Sequence, residues 1–125
     1  MKIAFVELTS FSNAREAHFG GDENFRRLQI WLTINPSIAP VIPGTGGLRK
    51  VRWANTSRGI GKRSGFRVIY LFIEEVSVIV LFAVYSKNVA TDLTPEQKRA
   101  ATKAAHTVRD DFLNRQNASK RNEEQ

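Results

Sequence analysis

The run Phe66-Arg-Val-Ile-Tyr-Leu-Phe-Ile-Glu-Glu-Val-Ser-Val-Ile-Val-Leu-Phe-Ala-Val-Tyr85 decides the fold class. It is dense in β-branched and aromatic residues, and Glu74-Glu75 divides it, so it reads as strands over 66–73 and 76–85 joined by a tight turn. Both alternating sets of positions are apolar. A strand of that kind is covered on both faces.

Working outward, residues 48–53 form a further strand, giving an antiparallel meander, and residues 3–8 a first strand. Residues 10–19 read as a short helix broken by Gly20-Gly21. A second helix starts with Asp22 as N-cap and Glu23 in the first turn, and shows Phe25, Leu28, Trp31 and Leu32 at helical spacing until Asn35-Pro36. Prolines and glycines over 36–47 predict a loop crossing the surface. Thr94-Pro95-Glu96-Gln97 carries the signature of a capping box and opens a helix to about Asn114. Its apolar content is thin, which predicts a surface helix open to displacement. The chain is thus α+β, with one domain over 1–114 and a polar, disordered tail over 115–125.

There is no cysteine, which excludes disulfides, thiolate metal sites and thiol nucleophiles. The apolar stretch at 3–8 is too short for a signal-peptide core, and the longest apolar run is far short of the ~20 residues of a membrane helix. A cytoplasmic protein without membrane contact is expected. Net charge is +7, and it is unevenly placed. Between Asn24 and Ile73 there is no acidic residue, yet Arg26, Arg27, Arg49, Lys50, Arg52, Arg58, Lys62, Arg63 and Arg67 fall there. Such an unbalanced field suits a polyanion.

Period-two geometry puts Lys50 and Arg52 on one strand face, with Arg49, Val51 and Trp53 on the other. Arg67 shares a face with Ile69 and Leu71, while Tyr85 and Lys87 share one with Leu81 and Ala83. If those faces coincide, Lys50, Arg52, Arg67, Tyr85 and Lys87 form one cluster. Cleavage of RNA through its 2′-hydroxyl needs a base, charge neutralisation at the crowded phosphorane, and a leaving 5′-oxygen. Arg52 and Arg67 suit the second task, and Lys50 or Lys87 the first if mutual repulsion lowers a lysine pKa. Tyr85 is placed to orient or stack a nucleotide, or else is a packing residue with a wet hydroxyl. Arg58, Lys62 and Arg63 lie among glycines, as a basic loop either free in solvent or clamping phosphates. Gly44, Gly46 and Gly47 lack the Lys-Ser/Thr and following helix of a phosphate-binding loop. His18 and His106 are isolated, acidic residues do not cluster, and neither a metal nor a cofactor is expected.

The motifs Pro43-Gly-Thr-Gly-Gly-Leu-Arg-Lys-Val-Arg-Trp53, Gly61-Lys-Arg-Ser-Gly-Phe-Arg-Val-Ile-Tyr70, Val84-Tyr-Ser-Lys-Asn88 and Asp92-Leu-Thr-Pro-Glu-Gln97, in that order, resemble the HigB-like branch of the RelE/ParE toxin superfamily. The resemblance implies a small twisted antiparallel sheet with two N-terminal helices on one face, a concave active face on the other, and a C-terminal helix. It implies the toxin of a type II toxin–antitoxin pair, an endoribonuclease that works without metal on messenger RNA in the ribosomal A site. Lys50 and Arg52 match the family's paired basic residues and Arg67 its third-strand arginine. Tyr85-Ser-Lys-Asn88 departs from the founding member's ending, so Lys87 takes over a phosphate contact and the acid and base stay open. Arg49, Arg58, Lys62, Arg63 and Asn88 are further RNA contacts. The implied partners are ribosome-bound messenger RNA and a cognate helix-turn-helix antitoxin, with operator DNA met only through that antitoxin. The rival readings are a ParE-like gyrase poison and a non-catalytic RNA-binding module.

Overall fold

The computed structural model describes residues 2–54, 65–86 and 93–123. In chain order these form β1 (Ala4–Glu7), α1 (Thr9–Phe19), α2 (Asp22–Ile34), β2 (Arg49–Trp53), β3 (Phe66–Ile73), β4 (Val78–Ser86) and α3 (Pro95–Glu123). A 3-10 turn over Glu74–Val76 joins β3 to β4, with Ser77 taking the left-handed conformation (φ 53°) that closes it.

The α+β class holds, but the sheet is mixed. Its order is β1-β4-β3-β2: the meander β2-β3-β4 is antiparallel, and β1 adds to β4 in parallel. The cause is the connection between β1 and β2. A helical crossover carries the chain from one sheet edge to the other, so β1 and β2 run the same way, and the β3–β4 hairpin fills the space between them.

Each sheet face carries its own core. On one, Phe11, Phe19, Phe25, Leu28 and Leu32 of α1 and α2 pack on Val51, Phe66, Val68, Tyr70, Ile79 and Leu81. The Phe19 ring stands edge-on to Phe66 (4.7 Å) and Phe25 (5.2 Å), an arrangement that the ring quadrupoles favour. On the other face, α3 lays Ala101, Ala104, Ala105, Val108, Phe112 and Leu113 over Ile69, Leu71, Ile73, Val78, Val80 and Phe82. The double coverage expected of β3 and β4 is therefore real, and α3 supplies half of it.

Three local expectations change. Asp22 is the first helical residue rather than the N-cap; Gly21 holds the cap position, and the Asp22 carboxylate accepts from Arg15 Nη2 at 3.1 Å instead. With Gly20 ending α1 in the left-handed region (φ 68°), the two helices abut too closely for a capping side chain between them. The last helix does not stop near Asn114 but continues to Glu123, where a disordered tail was expected. No Gly or Pro interrupts it there, Arg115 pairs with Asp111 one turn back (2.8 Å), and Gln116 Nε2 donates to the Glu75 carbonyl at 3.0 Å. Finally, the register steps from Ile69↔Ala83 to Tyr70↔Leu81, which leaves Phe82 as a bulge. The bulge places Phe82 and Ala83 on the α3 side and Leu81 on the other, so Tyr85 does not share a face with Leu81.

Candidate functional site

Alternation along β2 is as expected. Val51 and Trp53 turn to the α1–α2 core, while Lys50 and Arg52 line a cleft on the opposite side. The strand register then assembles the site: Arg52 pairs with Arg67, and Arg67 pairs with Tyr85, in a row running across three strands. Directly opposed residues stand about 5 Å apart at Cβ. Lys50 lies one step inward, two residues from Arg52, in register with Ile69 and Ala83. Four of the five expected cluster members therefore share one sheet face. The fifth, Lys87, lies outside the described residues, as do Arg58, Lys62, Arg63 and Asn88.

Burial grades the row. Arg52 is exposed, Lys50 and Tyr85 are half-buried, and Arg67 keeps only 5% of its surface in solvent. Arg67, on the middle strand of the three, therefore puts a guanidinium at the centre of the row. The Tyr85 hydroxyl beside it is shielded from water.

The cleft next to this row encloses about 560 Å³ and is walled by Pro40, Val41, Ile42 and Pro43, by Lys50 and Arg52, and by Leu93 and Lys98. Thus the open face expected beside the helices is covered over most of its length by α3. Of the basic row, Arg52 faces the cleft, with Lys50, at the end where α3 begins. The start of α3 is well defined: Thr94 Oγ1 accepts from the Gln97 N–H (3.1 Å) and Gln97 Oε1 from the Thr94 N–H (3.0 Å), a closed capping box as the motif predicted.

The glycine segment is a ledge for α3. The Thr102 hydroxyl sits between the carbonyls of Lys98 (2.7 Å) and Gly44 (3.1 Å). A Cβ at Gly46 would lie 2.5 Å from His106 Nε2, and one at Gly47 3.2 Å from Arg109 Nη2. Successive turns of α3 thus rest on Gly44, Gly46 and Gly47. His106 fills a structural place. So does His18, whose Nδ1 lies 2.9 Å from the Ala14 carbonyl and whose ring stands edge-on to Phe66.

Arg49 does not join the cluster. Its Nη1 donates to the carbonyls of Ser37 (3.0 Å) and Ala39 (2.7 Å) and so ties the 36–47 loop to β2. A second groove, about 360 Å³, lies between α2 and Trp53, lined by Ile30, Trp31 and Ile34. Among the described residues Arg27 is the one cation on its wall, which is otherwise mostly apolar. Lys98 was not foreseen as part of the cleft. The capping box told where its helix starts, but nothing in the sequence told which strands that helix would lie across.

Solved structures share this architecture, two of them toxin chains from E. coli. A double arginine-to-alanine mutant of the E. coli toxin RelE in the free state superposes with a TM-score of 0.53 at 17% identity, over 73% of this chain and 90% of that one. The fold is RelE-like. A chain of the intact E. coli RelBE toxin–antitoxin complex gives 0.50 at 19% identity, over 66% of this chain and 94% of that one. No sequence-family model matches the chain. In this RelE-like fold the sheet, the two N-terminal helices and the C-terminal helix are the frame on which the basic row stands.

Proposed function

We propose that the protein is the toxin of a toxin–antitoxin pair and acts as an endoribonuclease on messenger RNA, with the Arg52–Arg67–Tyr85 row and Lys50 as its active site. The observation that carries this reading is the register on a RelE-like sheet: two arginines and a tyrosine stand side by side across three strands, and the outermost, Arg52, lines a cleft together with Lys50. In the reaction the 2′-oxygen loses its proton and attacks the neighbouring phosphorus, the bond to the 5′-oxygen breaks, and that oxygen takes up a proton. The products are a 2′,3′-cyclic phosphate and a 5′-hydroxyl. Arg52 and Arg67 neutralise the charge that builds on the phosphorane. Lys50 is the candidate for proton transfer within the described cleft, and Lys87, which lies outside the described residues, is the other candidate that the sequence offers. Tyr85 orients the nucleotide beside Arg67. An antitoxin that masks the cleft, and the ribosome as the place where messenger RNA is presented, belong to the same reading.

The non-catalytic RNA-binding reading draws on one observation: Arg67 is nearly buried, as a structural arginine would be. The two separate in one experiment. RNA 5′ ends are mapped in a translation reaction with wild type, Arg52→Ala and Arg67→Lys, with and without ribosomes. Loss of one arginine that meets transition-state charge lowers turnover by about 10²–10³, far more than it lowers RNA affinity. Parallel loss of binding and cutting sinks the nuclease. Arrested translation over intact messages makes the protein a binder, and untouched translation brings a gyrase target forward.

A further inference from the structure

Two concave surfaces of α3 meet at one residue. The basic cleft is bounded by Lys98, Leu93 and Pro43; a neighbouring groove of about 570 Å³ runs along α3 past Gly44, Pro95, Lys98, Arg99, Thr102, Lys103 and His106. Lys98 therefore stands on the ridge between them. Its stem is held: a Cβ at Gly44 would lie 3.7 Å from Lys98 Cε, so the side chain lies along that glycine rather than sweeping through solvent. Lys98 and Lys103 are five residues apart, about 7.5 Å along the helix axis, and both face the same groove. Arg99 adds charge to its wall, and Asp110 closes the far end. The closed capping box at Thr94–Gln97 keeps this end of the helix from fraying.

We infer that an RNA strand bound in the cleft leaves it across the first turns of α3, with Lys98 and then Lys103 contacting consecutive stretches of its phosphate backbone. This rests on the reading of the cleft as an RNA site and adds the direction in which the strand runs and two residues that hold it. Lys98 and Lys103 are binding residues outside the Arg52–Arg67–Tyr85 row and Lys50, so they act on affinity and KM and leave kcat alone.

The test is binding of a fluorescent single-stranded RNA, followed by anisotropy over a range of salt, to wild type, Lys98→Ala, Lys98→Arg, Lys103→Ala and, as a charge-loss control on the opposite side of the sheet, Arg26→Ala. Lys98→Ala is expected to weaken binding about tenfold and to lower the salt slope by about 0.7, one released counterion on a single strand. Lys98→Arg restores the slope. Lys103→Ala lowers it only for an RNA long enough to reach beyond the cleft and leaves a trinucleotide unaffected. The inference is overturned if wild type binds RNA while Lys98→Ala and Lys103→Ala behave as Arg26→Ala does, or if the lysine variants lose kcat with unchanged KM. Failure of wild type to bind RNA at all removes the cleft reading and this inference with it.

Discussion

At the residue scale, the strongest constraint is Gly46. It has φ 73°, and the space its Cβ would need is taken by the His106 ring. Gly46→Ala therefore meets two penalties, a left-handed backbone costing roughly 1–2 kcal/mol and a clash with α3. Thermal denaturation should show a drop in Tm that His106→Ala, made in the same chain, recovers in part; full additivity of the two changes would mean that the ring and the glycine do not meet. Tyr70 is a second case. Its buried hydroxyl donates to the Pro36 carbonyl at 2.7 Å. Burial pushes its ionisation above the ordinary 10.0, against the lowering effect of a backbone hydrogen bond with Ala39 and of the Arg49 charge. The folded state thus holds the proton more tightly than the unfolded chain. Below the unfolded value both are protonated and this stability is fully present; as pH rises through the folded value it is lost. Tyr70→Phe should cost about 1 kcal/mol at neutral pH, and its melting curve should decline less than that of wild type between about pH 9 and 12.

At the scale of elements, α3 depends on its first turn. Thr94→Ala opens the capping box and should lower stability by about 1 kcal/mol, read as a shift in the denaturant midpoint at unchanged slope. The same helix shows what the sequence told and what it hid. Thr94, Pro95 and Gln97 announced its start to the residue. Its docking was not legible, because the contact uses Ala101, Ala104 and Ala105 against the sheet and glycines against the flank. Small residues allow close approach, yet in a hydrophobicity pattern they read as a surface helix. The site was legible for a related reason. Strict alternation put Lys50 and Arg52 on one face correctly, since β2 is regular. On β4 the same rule misplaced Leu81 relative to Tyr85, because Phe82 bulges and the Ser10 hydroxyl satisfies the bulge carbonyl at 2.7 Å. That partner lies 72 residues away in sequence, and no local pattern reports it.

For the whole molecule, the chemistry and the fold share one helix. α3 covers half of the sheet and also walls the cleft, so occupancy of the cleft and attachment of α3 are thermodynamically linked. RNA at a hundredfold excess over its Kd should stabilise the chain by about 2.7 kcal/mol, seen as a rise in Tm that disappears at high salt as the phosphate contacts are screened. A Tm indifferent to RNA, under conditions where anisotropy reports binding, would break that link. Among the described residues no helix is long and apolar enough to cross a membrane.

The outer edge of β2 has its own consequence. There the 36–47 loop folds back, so that the Lys50 N–H donates to the Pro40 carbonyl (3.2 Å) and the Ile42 N–H to the Leu48 carbonyl (2.8 Å), with Val41 bridging to Arg49. Pro40 and Pro43 have no N–H to offer beyond that bridge. A sheet edge with free donors is a template on which another chain can add a strand. Here the first half of that template is already occupied by the protein's own loop, which the Arg49 guanidinium ties down, so fibril-like growth from one copy to the next is stopped beside the cleft.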